Sequence, residues 1–154
     1  MGLDMYLNKR VSIYAMYEFE GIDGTIFITK HGQRIPIDLS RVNSISERVA
    51  YWRKANAIHK WFVDNVQGGV DDCKEYSVTL DQLRKLLKTC ERVIKDHSLA
   101  TELLPTQEGF YFGSTDYGEC YYEDLKYTVK ALKQVLKEKY PEDLYVSFTY
   151  DSSW

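Results

Sequence analysis

His59 is the residue of this sequence best suited to chemistry, because it stands among apolar side chains between positions 46 and 66. Histidine changes its charge near neutral pH, so it can act as a general base or contact a ligand. Asn56 lies one helical turn before it, on the same face. Burying either polar group without a hydrogen-bond partner costs roughly 1–3 kcal/mol. His59 is therefore either a structural side chain bonded to a carbonyl or a tyrosine hydroxyl, or a functional group at the mouth of a pocket.

A pocket around His59 can be assembled from segments far apart in the sequence. Asp4 could orient the imidazole, while the amides and hydroxyls of Ser114 and Thr115 could hold an anion. The segment 109–113 (GFYFG) has glycines that allow close approach of a ligand and rings that could stack on a base; the alternative is a plain strand between two turns. The predicted ligand is a small molecule or nucleotide, and the predicted pocket residues are Asp4, Asn56, His59, Ser114 and Thr115.

A second set of residues points to protein binding. Trp61 falls on the polar half of the predicted helix, so its indole either packs against another element or is exposed for a partner. Residues 116–124 combine acids with tyrosines, and such an anionic edge could meet a basic groove, although acids also suit a helix N-terminus. The partner-binding candidates are Trp61, Asp116, Tyr117, Glu119, Tyr121 and Glu123.

The sequence motifs of metal, nucleotide and nucleophile sites are missing. There is no HExxH, no CxxC and no histidine pair at ligand spacing, and Asp71-Asp72-Cys73 completes no metal site. Neither a GxxxxGK[ST] phosphate loop, nor a GxGxxG fingerprint, nor a GxSxG elbow occurs. The sequence therefore predicts no metal and no cofactor, assigns no catalytic residue, and favours binding over catalysis.

A long helix over 46–66 is predicted to position both sets of candidates. Ser44 and Glu47 have the spacing of a capping box, and Gly68-Gly69 would end the helix. At about 100° per residue, most apolar side chains fall on one half of the cylinder and most charged ones on the other. His59 would face the core, and Trp61 would project the opposite way.

Strand patterns cluster at the front of the chain, and helix patterns come later. The predicted strands are 3–7, 11–19, 25–29, 35–37, a short aromatic one within 105–120, and 144–150, with 11–19 and 25–29 forming a hairpin. The predicted helices are 79–97, opened by a Thr79–Gln82 capping box, and 121–140. The fold class is therefore α+β: a single domain over residues 1–154 with a mainly antiparallel sheet and three amphipathic helices packed on it.

The charge balance argues against a protein that coats nucleic acid. The 154 residues include 20 basic and 23 acidic side chains, a formal net charge of −3, whereas such proteins carry a basic surplus. No apolar run approaches the length of a membrane helix, and no signal peptide is predicted. Cys73, Cys90 and Cys120 are far apart, which indicates reduced thiols. We expect no direct nucleic-acid binding, no membrane span and a cytoplasmic location.

The chain contains the stretches MGLDMYLNK, YWRKANAIHKWFVDN, LLPTQEGFYFGSTDY, YYEDLKYT and YDSSW. Together they resemble a family of short proteins carried by bacteriophages and prophages, over nearly the whole chain. The resemblance implies a phage setting inside a bacterial host, and it carries over no residue roles. Small phage accessory proteins commonly bind host machinery or host defence.

The expected function is therefore non-catalytic binding of a host protein, including counter-defence inhibition of the anti-CRISPR kind. The alternative is a small ligand- or nucleotide-binding protein or enzyme with a pocket around His59. A structural subunit of a larger assembly is a third hypothesis, and the sequence leaves the oligomeric state open.

Overall fold

A four-stranded antiparallel sheet forms one layer of the fold, and helices form the other. The computed structural model describes residues 2–12, 27–38, 41–142 and 144–154. In chain order, the elements are β1 (Asp4–Ser12), β2 (Ile28–Lys30), β3 (Gln33–Ile35), β4 (Ser44–Arg53), α1 (Asn56–Asn65), β5 (Tyr76–Val78), α2 (Leu80–Lys95), α3 (Ala100–Leu103), α4 (Glu119–Lys137) and β6 (Tyr145–Ser153). The predicted α+β class, with an antiparallel sheet and amphipathic helices, is confirmed.

β1 lies inside the sheet, between β4 and β6, and its alternating sequence buries one face only. The strand order is β4-β1-β6-β5, and each neighbouring pair is antiparallel. Met5 and Leu7 are fully buried, whereas Asp4, Tyr6 and Asn8 are half-buried and lie on the opposite face, as the period of two in a strand requires. The half-buried strand predicted at the N-terminus is confirmed.

The predicted helix over 46–66 is wrong in its first half, because this part of the chain forms β4. Ala50 and Trp52 are 3% and 2% exposed, while Tyr51 between them is 40% exposed, which is the alternation of a strand. β4 pairs with β1 along its whole length. This non-local pairing outweighs the helical spacing of the apolar residues, which is compatible with either element.

The capping box predicted for Ser44 and Glu47 is also wrong, because their side chains do not bond to each other's backbone. Ser44 Oγ accepts a hydrogen bond from Arg10 Nε at 3.1 Å, and Glu47 pairs with Lys9 Nζ at 2.5 Å. Lys9 is only 5% exposed and also pairs with Glu138 at 2.7 Å, so its buried charge is neutralised from two sides. Both predicted cap residues therefore contact side chains of β1 across the sheet instead of capping a helix.

The helix that does form in this region, α1, is ten residues long and ends where the glycines predict. Gly68 and Gly69 have φ values of 65° and 81°, and Gly69 N donates to Val63 O at 2.8 Å. Glycine adopts this left-handed conformation without steric cost, which is why it closes helices. The second half of the predicted helix is thus confirmed.

α2 begins at the predicted capping box. Thr79 Oγ1 accepts from Gln82 N at 3.1 Å, and Gln82 Oε1 accepts from Thr79 N at 2.8 Å. The buried side chains of α2 form an apolar stripe, and the helix packs against α4; α4 begins two residues earlier and ends three residues earlier than predicted. No helix in the described part of the chain is long and apolar enough to cross a membrane.

The other predicted strands have mixed outcomes. Most of the predicted 11–19 and 25–29 hairpin lies outside the described residues. β2 and β3 form a separate two-stranded sheet, and β3 ends before Pro36, which has no amide hydrogen for a ladder. The short aromatic strand predicted within 105–120 does not form, and residues 105–118 are a loop.

Trp52→Ala tests the inward facing of β4. The Trp52 indole lies 6.0 Å from the Phe62 ring and donates to Thr128 Oγ1 at 2.8 Å. We expect the substitution to lower the free energy of unfolding by about 3–5 kcal/mol, because it removes a buried aromatic side chain, as measured by urea unfolding. Ser46→Ala, at an exposed position of the same strand, should change it by less than about 0.5 kcal/mol. Similar effects of the two substitutions would contradict the inward facing of Trp52.

Candidate functional site

The backbone turns sharply between β4 and α1, and this junction borders a cavity. Lys54 has a left-handed φ of 61°, which non-glycine residues adopt at an energetic cost. Asn56 N donates to Lys54 O at 2.9 Å across Ala55, whose φ of −78° and ψ of 67° make an inverse γ-turn. Lys54 N is held in turn by Leu3 O at 2.7 Å. The strained turn brings β4 directly into the first turn of α1.

Asn56 fixes the loop 105–118 to the start of α1. Its Nδ2 donates to Phe112 O at 3.1 Å and to Ser114 O at 2.8 Å, and its Oδ1 accepts from Gln107 N at 3.2 Å. Asn56 is 4% exposed, so these bonds satisfy both of its donors and its acceptor inside the protein. The residue predicted to contact a ligand therefore positions the loop.

The loop exposes two aromatic side chains in residues 109–112, here called the aromatic turn. Phe110 is 80% and Tyr111 is 53% exposed, whereas Phe112 is 4% exposed. Tyr111 has a positive φ of 64°, and its carbonyl accepts a hydrogen bond from Leu3 N at 3.5 Å. The turn is thus attached to the body of the protein while two of its rings face solvent.

A cavity of about 380 Å³ lies between the β4–α1 junction, the loop and the first turns of α4; we call it the junction cavity. No ion pair within 4 Å joins its charged groups to one another in the described part of the chain. Residues of both charge signs therefore border the cavity, and their side chains form no direct ion pair with one another. The charged residues that border it are Arg53, Lys54, Asp116, Glu123 and Asp124.

Asp124 has the most perturbed carboxyl of the junction cavity. Burial, and to a smaller extent the nearby charge of Glu123, raises the pKa of Asp124 to about 6. Within the described residues its carboxylate accepts no hydrogen bond, whereas the Asp116 carboxylate accepts one from Ser114 Oγ at 2.8 Å. The exposed thiol of Cys120 belongs to the same wall. A half-buried acid without a partner is suited to interact with an occupant of the cavity.

His59 is fully buried and does not line the junction cavity. Its Nδ1 lies 2.8 Å from the Tyr150 hydroxyl and its Nε2 lies 2.9 Å from Asp71 Oδ2. Burial holds the pKa of Tyr150 well above its usual value, so the hydroxyl keeps its proton and can donate it to Nδ1, while Nε2–H donates to Asp71. The structural alternative is therefore the one observed, and the pocket predicted around His59 is wrong.

Asp4 does not orient His59 either. It lies on the sheet face that points away from the helices, where its carboxylate accepts a hydrogen bond from the Tyr51 hydroxyl. Asp71 takes the role that was expected of Asp4, and Trp154 Nε1 donates to its other oxygen at 3.1 Å. No sequence periodicity links Asp71 to His59. The charge of Asp71 was therefore the only sequence feature that pointed to a role for this residue.

Two of the five predicted pocket residues, Asn56 and Ser114, line the junction cavity. Thr115 instead borders a shallow depression that it shares with Glu108 and Phe110. The site is therefore built around the start of α1 and not around His59, and charged residues of the junction and of α4 border it.

The partner-binding candidates also fall into two groups, buried residues and exposed residues. Trp61 and Tyr121 are 5% and 6% exposed, so neither is a surface residue; the alternative of internal packing holds for Trp61. The Tyr121 hydroxyl donates to Leu104 O at 2.9 Å, and Tyr117 is half-buried, its hydroxyl accepting from Thr106 N at 3.3 Å. The exposed members of the set are Asp116, Glu119 and Glu123. The sequence analysis considered the rings of 109–113 for stacking on a base and residues 116–124 as an anionic edge, but it selected neither Phe110 nor Asp124 as a candidate residue.

Asp124→Asn tests the environment of this carboxyl. The folded pKa of about 6 exceeds the ordinary value of 3.8, so the folded chain binds the proton more tightly than the unfolded one. The ionised carboxylate therefore destabilises the fold fully above about pH 6, and this cost is absent below about pH 4.

We expect Asp124→Asn to raise the Tm at pH 8, by roughly 2–4 °C for each kcal/mol recovered, and to leave it nearly unchanged at pH 4. Differential scanning calorimetry at both pH values measures the difference. Glu142→Gln, at an exposed acid of the chain, should show no such dependence on pH. A gain that is equal at pH 4 and pH 8 would show that the carboxyl is not desolvated.

The chain matches no protein-family model, no curated protein and no solved structure. Three features of the described residues bear on its function. The hydrogen bonds of His59 to Tyr150 and Asp71 connect α1 to β6 and to the segment after α1. The junction cavity with its unpaired charges and the aromatic turn with its two exposed rings are surfaces at which another molecule can bind.

Proposed function

We propose that this chain is a non-catalytic phage-type accessory protein that binds a host protein through the aromatic turn. The setting, the cytoplasm of a bacterial host, comes from the sequence resemblance, and the mode of binding comes from the geometry of the loop. A component of host defence, such as a CRISPR nuclease, is the kind of partner that this setting favours. The observation that carries the proposal is the 80% exposure of Phe110 on a loop that Asn56 fixes from beneath.

Two neighbouring exposed rings are the type of contact that dominates protein interfaces. The ring centroids of Phe110 and Tyr111 lie 4.2 Å apart. Transfer of a phenylalanine side chain from water to an interface is worth roughly 1.5–3 kcal/mol, and tyrosine is enriched among residues whose truncation costs most affinity. Trp154 is 52% exposed, with its ring 5.9 Å from that of Phe112, and adds a third ring at the base of the turn.

The attachment of the loop favours binding because it reduces the entropy lost on association. A partner that binds a flexible loop must order its backbone, at about 1–2 kcal/mol for each residue. The three hydrogen bonds of Asn56 and the bond from Leu3 N to Tyr111 O already fix the backbone of residues 107–114. The cost of ordering this segment is thus met during folding.

Acidic side chains flank the aromatic turn and favour a basic partner. Glu108 and Asp116 border the depression beside Phe110, and both are exposed. An acidic rim attracts a positively charged surface and repels other acidic surfaces. Proteins that act on nucleic acids carry such basic surfaces, which agrees with a defence nuclease as the partner.

The position of His59 also favours binding over general-base catalysis. Both of its ring nitrogens are engaged inside the core, by Tyr150 and by Asp71. A general base must come within hydrogen-bond reach of the proton that it removes, and a fully buried imidazole offers a substrate no such approach.

Capture from a lysate of the bacterial host tests the proposal with the double variant Phe110→Ser, Tyr111→Asn. Asparagine is chosen at position 111 because it tolerates the positive φ of that residue. We expect the wild-type chain to capture one host protein, and the double variant to capture at least about tenfold less of it, which corresponds to about 1.4 kcal/mol. The captured protein is then purified, and its Kd and its enzymatic activity are measured with and without the chain.

Tyr145→Ser is the matched control, because Tyr145 is 71% exposed and belongs to β6. It should capture the partner as the wild-type chain does. Equal capture by the double variant would remove the aromatic turn from the interface. Enrichment of no host protein at low and at physiological salt would overturn the binding function itself.

Asn56→Ala tests whether fixing the loop backbone raises the affinity for the partner, although the Asn56 side chain itself does not contact the partner. The substitution frees the loop from α1, so we expect faster amide hydrogen exchange over residues 107–114 and a Kd raised by about 5- to 100-fold, from hydrogen bonds worth about 1–3 kcal/mol in total. Calorimetric titration with the purified partner measures the Kd. Asn65→Ala, at the other end of α1, should leave both quantities unchanged. Faster exchange with an unchanged Kd would show that fixing the loop does not matter for binding.

A further inference from the structure

We infer that the chain forms a twofold symmetric dimer in which the outer side of β4, over residues 44–48, pairs antiparallel with the same segment of a second copy. We call this segment the β4 edge. The inference goes beyond the proposed function, because the β4 edge lies at the far end of β1 and β4 from the aromatic turn, which is bonded to Leu3. It is carried by the backbone groups that β4 leaves unpaired and by the order of its side chains.

β4 is an edge strand of the four-stranded sheet, whose strand order is β4-β1-β6-β5. It is ten residues long, whereas the opposite edge strand, β5, has three residues. Proteins commonly keep edge strands short, because a long edge offers its backbone to another chain. In the part of the chain that the structure describes, no strand pairs with the outer side of β4. The sheet is therefore protected at β5 and open at β4.

Two hydrogen bonds show which residues of β1 bond to β4. In an antiparallel pair, residues that bond to the neighbouring strand alternate with residues whose amide and carbonyl point away from it. Lys54 N donates to Leu3 O at 2.7 Å, whereas Tyr51 N points away from β1 and donates to the Tyr127 hydroxyl at 3.1 Å. The odd-numbered residues of β1 therefore face β4. This alternation continues along β1, which pairs with β6 without a register shift.

The β4 edge consequently leaves the amides and carbonyls of Ser44, Ser46 and Arg48 pointing outward. These residues lie opposite even-numbered positions of β1, namely 12, 10 and 8. Ile45 and Glu47 lie opposite positions 11 and 9, so their backbone groups bond within the sheet. Every second residue of the β4 edge thus offers one donor and one acceptor to an added strand.

The charged side chains of the β4 edge are turned back onto β1. Charged side chains at an edge normally hinder pairing with another strand. Glu47 pairs with Lys9, and the Arg48 guanidinium lies 4.5 Å from the centre of the Tyr6 ring. Each charge therefore has a partner in its own chain, and an added strand does not have to separate them.

The order of the side chains selects a second copy as the added strand. A twofold axis at Ser46 would place Ser46 opposite itself, Ser44 opposite Arg48, and Ile45 opposite Glu47. All three residues with outward backbone groups would then form hydrogen-bonded pairs, and no charged side chain would directly face one of like sign. A register centred on Glu47 or on Arg48 would bring like charges opposite each other, which is destabilising. The segment is therefore complementary to itself in one register, as an isologous interface requires.

The contact is short, so we expect a weak dimer. Beyond the β4 edge, the amide of Tyr51 is already bonded to Tyr127, and pairing ends before it. Small interfaces are typical of transient complexes, and a Kd on the order of 10–100 µM fits this size.

Sedimentation equilibrium of the full chain, at concentrations below and above this Kd, tests the inference with Ser46→Pro. Proline removes the amide hydrogen at the twofold axis but none that β1 uses, and an edge strand tolerates it. We expect the Kd to rise by at least about tenfold. Ser46→Ala keeps the amide and should dimerise as the wild-type chain does. Urea unfolding of each variant shows that it is folded.

Two substitutions at Ser44 test the register without proline. The new side chain would lie opposite Arg48 of the second copy. Ser44→Glu should therefore lower the Kd by about two- to fivefold, and Ser44→Arg should raise it by a similar factor, because charge pairs directly across two strands attract or repel. Changes in the same direction would contradict this register.

Amide hydrogen exchange measured at low and high protein concentration tests the alternation in the wild-type chain. Dimer formation should slow exchange at Ser44, Ser46 and Arg48, whose amides point outward. Exchange at Ile45 and Glu47 should stay unchanged, because their amides already bond to β1. Equal slowing at all five positions would show a contact other than strand pairing.

A chain that stays monomeric at every concentration would overturn the inference, as would a dimer that Ser46→Pro leaves intact. A monomeric chain that loses capture of a host protein through Ser46→Pro would assign the β4 edge to that protein and would also overturn it. The Phe110→Ser, Tyr111→Asn variant should dimerise normally. Failure of the β4 edge and failure of the aromatic turn as a binding surface therefore give different results.

Discussion

The side-chain amide of Asn56 is the interaction on which both candidate surfaces depend. Its three hydrogen bonds join the first residue of α1 to Gln107, Phe112 and Ser114, and an amide buried this fully must find partners for its donors and its acceptor. The loop therefore cannot leave α1 without exposing or stranding these groups. Its backbone forms one side of the junction cavity, and its outer turn carries the exposed rings, so one buried amide places both.

The position of Asn56 is set in turn by the change from strand to helix at Lys54. β4 continues the sheet up to Arg53, and the left-handed Lys54 with the γ-turn at Ala55 reverses the chain within two residues. Gly113 fits against this turn: a Cβ placed on it would lie 3.0 Å from Lys54 Cβ, and its φ is 91°. A larger residue there would push the loop off the junction. The strain at Lys54 thus lies at the wall of the cavity, where strained backbone often marks a binding site.

Local signals were sufficient where a residue's partners lie within one turn of it. The Thr79–Gln82 capping box and the alternation of β1 were predictable because each depends on neighbours in sequence. β4 was not, since Val49, Trp52 and their neighbours fit a helical stripe as well as a strand, and pairing with β1 decided between them. The site shows the same division: Asn56 and Ser114 were predicted, but the partner of His59 and the grouping of Arg53 with Asp124 arise only from contacts distant in sequence.

The aromatic turn and the junction cavity share one loop, and this has a consequence for how they would act together. Gly113, Ser114 and Asp116 border both the cavity and the depression beside Phe110. A ligand in the cavity changes the affinity of the turn for a partner only if it binds the bound form of the loop better than the free form. Because Asn56 already holds the loop in one conformation, the free and the partner-bound forms of the loop differ little. A ligand in the cavity therefore binds both forms with nearly the same affinity. The structure therefore favours two sites that bind independently, with coupling appearing only where the Asn56 hydrogen bonds are lost.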